Sequence, residues 1–396
     1  METTYDTRLA DDAAAWGAVL SMALCVTVLI ASEFMPVSLL SPIAADLGIT
    51  EGRTGQAISI SGAFAVVTSL LVAGLTRRID RKVVVSGFTV LLILSGLVVT
   101  FAPNYTLLMV GRAMLGVAIG GFWSMSTSIV MRLLSEDLVP RGLALLNAGN
   151  AIAATIAAPL GSFLGAYVGW RGAFFLVVPL GVLALIWQWI RLPPLPPRGR
   201  KASGNLLTLL GRRPVALGMA SILFFFMGQF TLFTYLRPFL EGVTGLTVPA
   251  FSAILLIMGL AGIAGTWIAG RLLRTRLFSI LTVIPLAMAV LAVGLIALGS
   301  MPFPVSLLLL AWGFFGTAAP VGWGTWLSRT LPDDAEAGGG LQVATIQLAI
   351  TGGAATGGML FDTIGWWGAF AFGAALLCGS SLLALAAWRA TRKFLP

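Results

Sequence analysis

The stretch WGAVLSMALCVTVLIASEFMP, residues 16–36, decides how the chain is to be read. From Ala13 to Ser32 no residue is charged, and then Glu33 stands near the end of the run. A helix needs ~20 apolar residues to cross the hydrocarbon core of a bilayer, and this run supplies them. The Glu33 carboxylate therefore lies at or near lipid depth, where a charge is costly and marks a functional site. The sequence contains no histidine, so a proton exchanged near neutral pH must ride on a buried carboxyl of this kind.

Composition says the same of the whole chain. It has 396 residues, 58% hydrophobic and only 10% charged, with a mean hydropathy of +0.98. A soluble domain carries roughly 25% charged residues, so this one is an integral membrane protein. The pI of about 10.5 does not point to nucleic acid, because the basic residues lie in short loops between apolar runs. Cys25 and Cys378 both fall inside such runs and are expected to be small core residues, with no disulfide. Met1 to Asp12 is acidic and lacks the basic start of a signal peptide, so the first span is expected to be retained.

Twelve spans are predicted: 13–40, 54–75, 83–102, 106–134, 143–167, 173–190, 215–240, 248–272, 277–300, 304–327, 341–363 and 367–387. A linker with the run PPLPP and Arg198, Arg200 and Lys201 separates the sixth from the seventh. With an even count both termini share one side. Twenty of the 24 basic residues fall on that side, Arg53, Arg171 and Arg237 fall opposite, and Arg112 lies within a span. Basic loops stay inside, so both termini are expected in the cytoplasm.

The two halves repeat. AG at 73–74 matches AG at 269–270, RLLSED at 132–137 matches RTLPDD at 329–334, and GWRGAF at 169–174 matches GWWGAF at 365–370. The offsets are 196 or 197 residues throughout. The expected fold is an all-α membrane protein of twelve transmembrane helices in two pseudo-symmetric six-helix bundles, residues 1–190 and 215–396, joined by a cytoplasmic linker at 191–214. Parallel repeats of this kind belong to secondary transporters, whose binding site lies between the halves near the midplane.

Three motifs resemble those of the major facilitator superfamily. AGLTRRIDRK (73–82) is similar to its loop after span two, although Arg77 stands where an aspartate is usual and Asp80 where a glycine is usual. Arg77, Arg78, Asp80, Arg81 and Lys82 then serve either gating, by pairing across the halves, or simple positive-inside anchoring. RAMLGVAIGG (112–121) is similar to the span-four motif and places Arg112, Gly116 and Gly120 on one helical face, the glycines permitting close helix approach. APLGSFLG (158–165) resembles the span-five antiporter motif, in which Pro159 bends the helix; a bend alone accounts for the proline equally well.

SEFMPVSLL (32–40) resembles span one of the drug:proton antiporter group. GGFWSMS (120–126), GQFTLFTYLRP (228–238), PVGWGTW (320–326) and QVATIQL (342–348) resemble the purine ribonucleoside efflux carriers within it. The resemblance implies proton-driven export of nucleosides such as inosine and guanosine. Composition and spacing alone stop at a transporter.

Glu33 and Arg112 both fall ~10 Å below the outer surface at ~1.5 Å per residue. The expectation is that they meet, Glu33 taking a proton from outside and Arg112 tuning its affinity; the alternative is that Glu33 binds substrate hydroxyls directly. A nucleoside base wants an aromatic face and amides along its edge. Trp123, Tyr235, Trp323 and Trp326 offer faces, and Asn147, Asn150, Gln229, Gln342 and Gln347 offer amides, which alternatively act as interhelical hydrogen bonds. Trp170, Trp187, Trp189, Trp366, Trp367 and Trp388 read as an interfacial belt. No cofactor or metal is expected, and a monomer is. The other function classes are sugar or drug export by the same proton chemistry, uptake by symport, and a membrane-embedded enzyme. The last is disfavoured by the lack of histidine, of paired intramembrane carboxylates and of a thiol–base arrangement.

Overall fold

The computed structural model describes residues 2–135, 138–197, 206–331 and 334–392. Arg198, Arg200 and Lys201 of the linker, and Glu136, Asp137, Pro332 and Asp333 of the repeated loop, lie outside them. The helices are α1 (Glu2–Leu47), α2 (Glu51–Leu75), α3 (Arg81–Thr100), α4 (Tyr105–Leu133), α5 (Val139–Phe175) and α6 (Val177–Arg191). After a short 3-10 turn at Leu206–Gly211 come α7 (Arg213–Phe233), α8 (Leu236–Gly242), α9 (Val248–Leu298), α10 (Pro302–Thr330), α11 (Ala335–Thr363) and α12 (Trp366–Arg392).

Eleven segments among the described residues are long and apolar enough to cross a membrane, one fewer than the sequence predicts. The difference lies in Arg141–Arg191, a 51-residue stretch that runs on as one helical segment. At ~1.5 Å per residue it is more than twice the ~30 Å of a bilayer core. It is broken at Gly169, whose φ of 71° and ψ of 167° is a conformation open almost only to glycine. Before the break the chain runs alongside α1 in the same direction: Gly149 faces Ala23 and Thr27, and Gly165 faces Leu39. After the break it returns, because Arg171 pairs with Asp46 and the Arg191 side chain lies against Gly17.

The seventh predicted span is also interrupted. α7 stops at Phe233 and α8 starts at Leu236. Pro238, in the first turn of α8, has no N–H for the carbonyl of Thr234 and its ring crowds that carbonyl. α9 contains two of the predicted spans, separated at Arg276 (φ −126°, ψ 33°).

The repeat is visible in the backbone. Among the described residues four glycines have positive φ: Gly48, Gly169, Gly245 and Gly365. Gly245 follows Gly48 by 197 residues and Gly365 follows Gly169 by 196, the offsets of the sequence repeat. Two apolar cores form. One is drawn from Ala18 to Leu195; the other runs from Leu209 to Ala384, with Val37, Ile58 and Ala158 reaching into it from the first half. Cys25 is buried as expected, whereas Cys378 is exposed on α12. Trp170 is buried beneath Arg171 rather than facing outward as a belt residue, while Trp189 and Trp367 are exposed.

Candidate functional site

Arg112 is fully buried on α4. Gly116 and Gly120, one and two turns on, bring α4 against α2 so closely that a Cβ at either would stand 2.1 Å from the Ser61 carbonyl oxygen or 2.2 Å from that of Ala65. That approach delivers the α2 backbone to the guanidinium. Arg112 Nε donates to the Ala57 carbonyl at 2.9 Å, Nη1 to the Ser32 carbonyl at 2.7 Å, and Nη2 to the Glu33 carbonyl at 3.1 Å and Ser61 Oγ at 3.2 Å. The Ser32 carbonyl is free for this because its helical partner four residues on is Pro36, which has no N–H. One rigid fork of donors thus ties α1, α2 and α4 together.

The expected meeting of Glu33 and Arg112 therefore takes place at the Glu33 main chain. The Glu33 side chain, 2% exposed, turns instead to the other half, where Gln347 Nε2 on α11 stands 3.5 Å from Oε1. Gln347 Oε1 is buried without a partner among the described residues. Beside this pair Phe34 of α1 stacks on Phe230 of α7, with ring centroids 5.7 Å apart. The arrangement holds a carboxyl between two halves, with a positive charge fixed behind it and an amide in front. Such a carboxyl can hold a proton or accept hydrogen bonds from a polar ligand.

The other predicted residues are dispersed. Gln229 on α7 has a buried Oε1 without a partner among the described residues and points its Nε2 toward Gly316 of α10. Trp323 and Trp326 pack edge to face in the second core, where the Trp326 ring fills the space over Gly218. Trp123 is half-buried against the first core. Asn147 is exposed and donates to the Leu143 carbonyl of its own helix. Asn150 and Gln342 are half-buried. Tyr235 is fully buried, stacked on Phe361, with its hydroxyl donating to the Ala354 carbonyl at 2.7 Å. Its faces are occupied by packing.

Tyr235 belongs to a seam where the halves meet at the Gly48 and Gly245 end. Asp362 of α11 accepts from the Thr50 hydroxyl at 2.6 Å and from the Gly52 N–H at 3.0 Å. Gln56 donates to the Ala355 carbonyl, Arg237 to that of Ser38, and Ser252 to Ser162. The predicted gating loop lies at the opposite end and is held within its own half. Asp80 caps α3 through the Lys82 N–H at 2.8 Å and also accepts from the Leu195 N–H of the linker at 3.1 Å. Arg81 binds Thr76, Lys82 lies over the Trp189 ring, and Arg77 and Arg78 are exposed. Pro159 is buried in α5 with helical geometry around it, the break falling at Gly169 instead.

Asp362, Thr351 and the Phe34–Phe230 stack were not singled out in the sequence. Thr351 Oγ1 is buried beside Gly62, without a partner among the described residues. Asp362 had a signal, since it is a carboxylate at the end of an apolar run.

Known proteins share this architecture. Transcription regulatory protein OpdE of Pseudomonas aeruginosa is 50% identical over 379 residues, covering 95% of this chain and 94% of the relative. The purine ribonucleoside efflux pump NepI of Salmonella paratyphi B is 42% identical over 376 residues, covering 95% of each. The crystal structure of a bacterial homolog of the human lysosomal transporter Spinster, inward-facing and unoccupied, aligns with a TM-score of 0.70 at 13% identity, covering 96% of this chain and 98% of that one. Its inward-facing, occupied form aligns with a TM-score of 0.70. Residues 22–339 match the family description Major Facilitator Superfamily. Helical spans, a duplicated backbone and relatives matched along nearly the whole length lead to one assignment: the chain belongs to the Major Facilitator Superfamily.

Proposed function

We propose that this transporter is a proton-coupled antiporter that exports purine ribonucleosides such as inosine and guanosine by alternating access. The observation that carries the proposal is the buried Glu33 carboxyl facing the Gln347 amide from the opposite half. The likeness to the efflux pump directs the choice of substrate. Arg141–Arg191 counts as two crossings, which makes twelve, with both termini in the cytoplasm of a bacterial inner membrane. The halves 1–190 and 215–396 rock about the linker 191–214, and one chain acts alone. On this topology the Asp362 seam is the sealed outer end, and the conformation is inward-facing.

Glu33 takes its proton when the seam parts outward. Closure then carries it to the inner side, where substrate entry beside Gln347 and Phe34 displaces it. Arg112, tethered to main-chain carbonyls, holds a fixed positive potential behind the carboxyl and stays in place through the cycle. The free Oε1 of Gln347 accepts from a base N–H or ribose hydroxyl. The OpdE relative bears a regulator's name, but the match of this chain to the Major Facilitator Superfamily favours transport.

The test is transport in proteoliposomes with labelled inosine and guanosine against arabinose and a lipophilic cation, under an imposed pH gradient. Glu33→Gln keeps the shape and an acceptor for Gln347 but cannot give up a proton. Gradient-driven nucleoside transport should fall to the level of protein-free vesicles. Nucleoside exchange should persist and lose its dependence on pH. Gradient-driven transport by Glu33→Gln refutes the proton role. Preference for arabinose or the cation refutes the substrate.

A further inference from the structure

A second binding feature lies away from the halves' interface, on the outer surface of the second half. α7 and α12 run antiparallel and are bonded through Ser221 and Ser380. Toward the end that carries the chain termini they part into a groove of about 530 Å³, walled by Leu217, Leu382, Leu385 and Ala386. Arg213 and Arg389 stand at its mouth. Both are exposed, and among the described residues neither has a hydrogen-bond or ion-pair partner. Their neighbour Arg212 is by contrast paired with Asp334 at 3.0 Å. Arg213 also occupies the first turn of α7, where the helix's own unpaired N–H groups favour an anion and disfavour a cation.

We propose that this groove binds an anionic phospholipid, its phosphate between Arg213 and Arg389 and an acyl chain along the leucine wall. Two like charges at one mouth call for an anion, and guanidinium forks match phosphate oxygens. The apolar wall below them calls for an amphiphile rather than a free ion. Basic pockets between transmembrane helices recognise anionic headgroups by this chemistry. The comparable groove of about 410 Å³ between α3 and α6 is lined without a guanidinium, and Lys82 nearby already lies over the Trp189 ring. It lacks the headgroup half of the site.

The test is native mass spectrometry of the full chain in detergent, with phosphatidylglycerol and phosphatidylethanolamine supplied in equal amounts. The wild type should retain phosphatidylglycerol preferentially. In Arg213→Gln/Arg389→Gln its affinity should fall roughly twenty-five-fold, the product of about five-fold for each arginine at an anionic headgroup. Leu385→Trp, which fills the groove and leaves both arginines, should also lose the lipid, and it decides the matter if the double variant does not fold. Millimolar inorganic phosphate should not displace the lipid. Equal retention of the two lipids by the wild type, an unchanged preference in the variants, or displacement by phosphate alone overturns the proposal.

Discussion

At Gly116 in the first half and Gly313 in the second, neighbouring helices approach so closely that a Cβ would stand 2.1 Å from the Ser61 carbonyl oxygen and 2.2 Å from that of Met258. The two glycines are 197 residues apart, and so are the two carbonyls. The same spacing carries Glu33 onto Phe230 and Arg112 onto Leu309. The steric plan of the crossing is thus duplicated, while its charges are not. Leu309 is fully buried at the position where the first half buries a guanidinium. A crossing of this shape therefore does not need a charge to hold it. In the first half Arg112 adds four hydrogen bonds that tie α1, α2 and α4, and on the proposed function it also serves the Glu33 carboxyl.

Exchanging the residues tests that difference most severely. Leu309→Arg places a guanidinium where no proline-freed carbonyl awaits it, at a cost of about 3 kcal/mol or more. Folded, monodisperse protein should be lost from detergent extracts. Arg112→Leu removes four hydrogen bonds but also a buried charge, for a net cost of about 1–2 kcal/mol. It should fold, bind nucleoside and fail in gradient-driven transport. If Leu309→Arg folds as well as the wild type, the halves are more alike chemically than their packing partners indicate.

The glycine pair gives a smaller effect and the opposite expectation, that the halves behave alike. Gly116→Ala and Gly313→Ala each force apart two backbones with little room to give, at about 1–3 kcal/mol apiece. Thermal unfolding followed by tryptophan fluorescence should show similar losses for both. A loss in one half only would show that the second crossing tolerates separation.

These positions also show what was legible in the sequence. Glu33, Arg112 and the glycine face stood out because a charge in an apolar run and a four-residue spacing are local signals. The carbonyl that Arg112 seeks was also encoded, four residues before Pro36. The break before α8 was encoded in Pro238, but a continuous apolar run masked it. The turn at Gly169 was legible, since the spans 143–167 and 173–190 leave it between them at GWRG, although helix continues almost to either side of it. Contacts between the halves were not legible. Glu33 and Gln347 are 314 residues apart and Thr50 and Asp362 are 312 apart. No local pattern announces such a partner. The aromatic candidates failed to converge for a related reason: Trp323 and Trp326 are as apolar as the core that surrounds them, and periodicity does not distinguish a core face from a cavity face.

The finest comparison is between the two seams that join the halves. Gly62 of α2 lies against Thr351 of α11, and Gly259 of α9 lies against Thr155 of α5, again at offsets of 197 and 196. The seams differ at their ends. Thr50 caps α2 by accepting the Arg53 N–H, and Asp362 adds a carboxylate on the Gly52 N–H. Thr247 at the start of α9 makes no such side-chain cap, and Gly165 stands 197 residues before Asp362. Asp362→Ala should therefore loosen one seam alone. Each hydrogen bond lost contributes about 1 kcal/mol, so amides in the first turn of α2 should exchange with deuterium several-fold faster, while those at the start of α9 keep their rates. Transport should change little under a saturating gradient, because the buried Glu33–Gln347 pair lies deeper in the interface. Equal acceleration at both helix starts would mean that the seams open as one unit, with Asp362 acting on the whole closed state. No acceleration at either would mean that close helix packing at Gly52 and Gly358, rather than the carboxylate, holds this end shut.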